Sequence, residues 1–102
     1  MTNLEAILSY FNKKQGAELH LENQGLTGSD PYTQSNQKSV EIASAYLRLS
    51  AVGAADRKEQ DASIEWGDDS YLISSANAIF LKYGLEDEIV SETIINFKQE
   101  VW

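Results

Sequence analysis

Three sets of residues in this 102-residue chain are of types that could do chemistry: His20, the adjacent carboxylates Asp68 and Asp69, and the glycines. His20 is the one histidine, and an imidazole needs a partner group to tune it before it works as base, acid or ligand. It stands in a short polar segment, so a surface position is the expectation. Serine and aspartate are plentiful enough for a Ser-His-Asp arrangement, but no Gly-x-Ser-x-Gly elbow exposes a nucleophile. Asp68 and Asp69 could hold a cation or share a proton. They also directly precede a helical pattern, where a carboxylate satisfies free N–H groups at the positive end of the helix dipole, and capping is the expected role. The alternating oxygen ligands of an EF-hand loop are absent. No Lys-Ser or Lys-Thr follows Gly25 or Gly28, so neither glycine belongs to a phosphate loop. Glu86, Asp87 and Glu88 read as a solvated charge run. The expectation is no catalytic residue, no metal and no cofactor, in a chain that acts by binding other proteins.

Composition points the same way. Hydrophobic residues make up 42% and charged residues 24%, enough for one self-sufficient core and too apolar for a disordered chain. Eight Lys and Arg stand against sixteen Asp and Glu, for a net charge of −8. Tight binding to a nucleic-acid backbone needs clustered cations, and the densest basic spots are the dipeptides Lys13-Lys14 and Arg57-Lys58. An acidic surface repels DNA, or offers a face to a basic partner. With no cysteine, disulfides and thiolate metal sites are excluded. No apolar run approaches a membrane span, and no basic start leads into an apolar stretch. A soluble protein of the cytoplasm is expected.

The elements follow from periodicity and caps. Thr2 and Glu5 have capping-box spacing, and Leu4, Ile7, Leu8 and Phe11 recur at i, i+3, i+4 and i+7; this predicts a helix over about 3–14, closed by Gly16. Residues 17–25 suit either a strand or a two-turn helix closed by Gly25, with the helix preferred. The stretch from Gly25 to Pro31 is a loop. Thr33 or Ser35 caps a helix over about 34–52, in which Val40, Ala43, Leu47 and Ala51 form one stripe and Ile42, Tyr46 and Leu49 a second. Two adjacent stripes make it the central helix of a bundle. The small residues Ala43, Ser44, Ala45 and Ser50 admit a close neighbour, and Gly53 ends the helix.

Residues 54–62 are polar and aperiodic, an exposed loop or frayed helix end. The run 63–66 alternates as a short strand. Leu72, Ala76, Ile79, Phe80 and Tyr83 mark a last helix, with Gly84 and Leu85 forming a Schellman stop. In the tail, Ile95, Phe97 and Val101 alternate with polar residues and favour an extended strand, although Ser91 could cap a short helix. Tyr10, Phe11, Tyr46, Phe80 and Tyr83 are expected in the core. Trp66 and Trp102 stand apart, in a type enriched at interface hot spots; the plainer alternative packs both onto the domain's own helices.

The segment Ser63 to Gly84, SIEWGDDSYLISSANAIFLKYG, resembles the ending of small proteins of tailed phages and prophages of Bacteroides-type bacteria. There a Ser-Ile-aromatic strand precedes a helix closing on Ala-Asn-x-Ile-(Phe/Tyr)-x-Lys-Tyr-Gly. The stretches Gln24-Gly25-Leu26, Tyr32-Thr33 and Ser39 to Leu47 are also similar, so the resemblance spans about residues 1–88. The layout is in turn similar to head–tail connector (head-completion) proteins of long-tailed phages, small helical domains that form rings between portal and tail. The resemblance implies a ring-forming structural protein of the virion, with the 54–69 loop near the channel or the next ring and the tail able to reach a neighbouring subunit. An acidic lumen suits DNA that must slide without sticking. The C-terminal extension departs from the connector layout.

The expected architecture is mainly α: a small bundle of three main helices plus a short helix, with a short β element at 63–66. That element pairs with 93–101 within one chain, or between chains as an assembly device. Residues 1–88 form the helical domain and 89–102 an extended docking tail. The expected function is a virion structural protein, a head–tail connector or neck component, assembling as a homo-oligomer in the host cytoplasm. Its partners are itself and portal or tail components, without tight nucleic-acid binding or membrane attachment. The alternative is an acidic binding protein of a phage or mobile element that inhibits or regulates a basic host protein. The expected interaction residues are Arg57, Lys58, Ile64, Trp66, Ile95, Phe97, Val101 and Trp102.

Overall fold

A computed structural model of the chain describes residues 1–53 and 68–90. Among these residues four α-helices form a small bundle: α1 (Asn3–Tyr10), α2 (Ala17–Asn23), α3 (Gln37–Ser50) and α4 (Asp69–Lys82). The chain is mainly helical, as its periodicity implies. The loop 54–62, the strand 63–66, the alternation over 93–101 and all eight expected interaction residues (Arg57, Lys58, Ile64, Trp66, Ile95, Phe97, Val101, Trp102) lie outside the described residues.

The capping box at α1 is complete. The Glu5 N–H donates to Thr2 Oγ1 at 3.2 Å, and the Thr2 N–H donates to Glu5 Oε1 at 2.8 Å. The other free donors of the first turn are satisfied by the following loop: the Asn3 N–H donates to the Asp30 carbonyl and the Leu4 N–H to the Gly28 carbonyl, both at 2.9 Å. The Gly25–Pro31 loop is thereby folded back onto α1, with one isolated antiparallel bridge between Thr2 and Pro31.

α1 is shorter than its pattern suggests. It ends at Tyr10 rather than near residue 14, because Phe11 turns to an extended conformation (φ −153°, ψ 113°) that drives its ring into the core. Gly16 consequently belongs to the next element. It takes φ +87° as the N-cap residue of α2, a conformation that a side chain makes costly. The ambiguous 17–25 segment is helical, with Ala17 and Leu21 buried. Thr33 caps a 3-10 turn, Gln34–Asn36, which runs directly into α3.

α3 is the central helix and packs on α1, α2 and α4. Val40, Ala43, Leu47 and Ala51 join Ile7, Phe11, Leu21 and Leu72 in the main core. On its other side Ala45, with Tyr46 and Leu49, meets Ala76 and Phe80 of α4. α4 closes as a Schellman motif: the Leu85 N–H donates to the Phe80 carbonyl at 2.7 Å and the Gly84 N–H to the Leu81 carbonyl at 3.2 Å, with Gly84 at φ +72°. Leu85 folds back on Phe80.

Candidate functional site

The residues singled out for possible chemistry have structural partners. The Asp68 carboxylate accepts the Tyr71 N–H at 2.8 Å and caps α4. Asp69 accepts the Gly53 N–H at 3.0 Å, tying the start of α4 to the end of α3. His20 is half-buried and stacks on Tyr46, with ring centroids 6.4 Å apart and planes within 10°. Tyr46 in turn meets Phe80 at 5.1 Å, so one aromatic row links α2, α3 and α4. Burial, and then the charge of Lys13, holds the His20 imidazole below its usual pKa of 6.5. Burial, and then the carboxylate of Glu88, raises the Tyr46 hydroxyl. Among the described residues no group of three or more His, Asp or Glu is placed to hold a metal ion.

Three polar residues that periodicity did not single out lie buried instead. Asn3 donates from Nδ2 to the Thr27 carbonyl at 2.9 Å and accepts at Oδ1 from Asn36 Nδ2 at 3.0 Å. It joins α1, the loop and the start of α3 in one network. Arg48 lies at the C-terminal end of α1, where Nη2 donates to the Tyr10 carbonyl at 2.8 Å and the guanidinium sits 5.6 Å from the Phe11 ring centroid. A cation there satisfies an orphan carbonyl and complements the helix dipole. Among the described residues its Nε has no hydrogen-bond partner, and burial lowers its pKa.

Glu41 is the third. Its carboxylate is buried between α3 and the end of α4, where Lys82 Nζ lies 3.0 Å from Oε2 and the Tyr83 hydroxyl donates to Oε1 at 2.8 Å. Burial pushes this carboxyl up, but the hydrogen bonds from Tyr83, Lys82 and Gln37 and the Lys82 charge outweigh it. The net pKa falls below the ordinary 4.5. Lys82 is raised by its hydrogen bond to Glu41. The cluster resembles an acid–base site in composition, but each group is spent on another group of the same cluster, and it joins two helices.

A few large apolar side chains also face outward. Met1, Leu19, Tyr71 and Leu81 are each more than half exposed. Leu19 borders an open groove of about 560 Å³ between α1 and α2, lined with Leu4 and Leu8 and flanked by Lys14 and Glu18. Glu18 and Glu22 also edge a neighbouring hollow beside the Thr27–Ser29 turn. Tyr71 and Leu81 lie on the outer face of α4. Met1, Leu19, Tyr71 and Leu81 are not among the interaction residues expected from the sequence; an exposed leucine inside an amphipathic pattern looks like any other core residue.

The model of a family of unknown function, DUF6706, matches residues 1–102. The chain belongs to that family. No curated protein and no solved structure matches the chain. The family carries no assigned activity, so the functional reading of this member rests on its own residues.

Proposed function

We propose that the chain is a non-catalytic structural protein of a phage virion, a head–tail connector or neck component that assembles as a homo-oligomer. The observation that carries the binding part of this reading is the division of labour among side chains. The buried polar groups Asn3, Glu41 and Arg48 are engaged inside the domain, while Leu19, Tyr71 and Leu81 face outward. Exposed large apolar side chains on a small acidic domain favour burial against another protein surface. The virion assignment rests on the resemblance of residues 1–88 to phage proteins. In this reading the chain assembles in the host cytoplasm, ends in the virion, and contacts portal or tail components. Electron microscopy of the concentrated full-length protein tests it: symmetric rings or stacked rings are expected, and single small particles at every concentration overturn it.

A second reading is favoured by the groove lined by Leu4, Leu8 and Leu19, whose rim carries Glu18. An apolar slot bordered by Lys14 and Glu18, next to a hollow edged by Glu18 and Glu22, suits a partner with basic residues beside an apolar anchor, as for a regulator or inhibitor of a host protein. A one-to-one, salt-sensitive complex with a basic host protein, abolished by Glu18→Lys, would favour this reading over the first.

A further inference from the structure

Tyr71, Ser74, Ala78 and Leu81 all lie exposed on α4, on the side turned away from buried Leu72, Ala76 and Phe80. Their order along the helix is large, small, small, large. Tyr71 lies as far before position 76 as Leu81 lies after it, and the same holds for Ser74 and Ala78. A two-fold axis crossing α4 opposite position 76 therefore superposes this pattern on itself in an antiparallel copy. We propose that the outer face of α4 is a self-complementary docking surface for a second copy of the chain. This inference rests on the homo-oligomer reading above; being two-fold, the contact pairs copies or joins two rings face to face and is distinct from the head-to-tail contact that closes a ring.

Shape and charge both select a second copy as occupant. The small pair at the centre lets two helix axes approach closely, while each tyrosine covers the partner's leucine at the ends. With a net charge of −8, two copies repel unless they meet where carboxylates are absent. The exposed faces of α1 and α2 carry Glu5, Glu18 and Glu22. α4 has a single acid, Asp69, at its first position and a single base, Lys82, at its last. Antiparallel pairing brings Lys82 of each copy beside the Asp68-Asp69 end of the other, and it opposes the helix dipoles favourably. Lys82 keeps 55% of its side chain exposed despite its bond to Glu41, so it remains within reach of a second carboxylate. A helix pair about 20 Å long covers less than the roughly 1,200 Å² of a standard stable interface. The contact is therefore weak and concentration-dependent on its own.

The chain has no cysteine, which makes its register directly readable. Full-length Ser74→Cys and Ala78→Cys chains are mixed and oxidised, and the mass of the self-association product is followed by sedimentation for wild type and Leu81→Glu. A mixed 74–78 disulfide forming faster than either like-with-like product is expected, with dimerisation weakened about tenfold or more by Leu81→Glu. Circular dichroism of Leu81→Glu should match wild type, since the side chain is exposed. Oligomers that ignore Leu81→Glu and give no mixed disulfide overturn this interface but leave the homo-oligomer reading standing. A monomer at every concentration overturns both.

Discussion

The Lys82 ammonium lies 3.0 Å from the Glu41 carboxylate and joins the last turn of α4 to the middle of α3. The two partners are unequal: Glu41 is buried and Lys82 is largely exposed. Removing the lysine leaves a buried carboxylate without its counter-charge, held only by the hydrogen bonds from Tyr83 and Gln37, whereas removing the carboxylate leaves an ammonium that water can solvate. Lys82→Met should therefore destabilise the protein more than Glu41→Gln does. Glu41→Ala, which also strips the Tyr83 hydroxyl of its acceptor, should cost about 1–3 kcal/mol. Urea melts of the three variants check the order, and equal losses for Lys82→Met and Glu41→Gln would contradict it.

The same carboxylate sets a pH dependence. Its folded-state pKa is depressed below 4.5, so its contribution to stability is fully present above that value and is lost as pH falls through the folded-state pKa. Glu5, lowered by its hydrogen bonds to Thr2, acts in the same direction. The stability difference between wild type and Glu41→Gln should stay constant from pH 7 down to the ordinary carboxylate range and shrink below it. Thermal melts of both proteins between pH 7 and pH 3 read this directly; a difference that grows on acidification would reverse the assigned sign.

Arg48 acts across elements as the C-terminal cap of α1. Arg48→Met leaves the Tyr10 carbonyl without its donor and should cost about 1–3 kcal/mol. Arg48→Lys should recover only part of that, because an ammonium is a point donor and does not reproduce the guanidinium's place over the Phe11 ring. Denaturant melts measure both. Full rescue by lysine would show that charge alone matters.

The two ends of α4 give a local test. Asp68→Ala removes the N-cap and should cost about 1 kcal/mol. Gly84 has φ +72° with nothing among the described residues within 4 Å of an added Cβ, so Gly84→Ala should cost about 1 kcal/mol through backbone strain. Gly84→Asn should cost less, since asparagine tolerates the left-handed region. Thermal melts of the three variants test the ranking Gly84→Ala above Gly84→Asn.

Local signals carried the fold. The Thr2–Glu5 capping box, the paired stripes on α3, the Asp68 cap and the Gly84-Leu85 stop each depend on residues within one element, and the structure has all four. Polar burial was hidden because its causes are distant in sequence. Glu41 meets Lys82 and Tyr83 from 41 and 42 positions away, and Arg48 reaches Tyr10 across 38. That last contact also bears on where α1 stops: its hydrophobic period runs on through Phe11, but the Tyr10 carbonyl is capped by α3 and the Phe11 ring turns inward. The exposed face of α4 is illegible in the sequence for a related reason. Once Leu72, Ala76, Ile79 and Phe80 define the buried side, Tyr71 and Leu81 are conspicuous only by what fails to cover them.

Sedimentation equilibrium of the full-length wild-type chain, from micromolar to millimolar at two salt concentrations, tests most directly whether this protein acts by assembling with copies of itself. The mass-average should climb above the monomer with concentration, more steeply at high salt as the mutual repulsion of the acidic chains is screened. A single monomer mass across the whole range, at both salt concentrations, would contradict it.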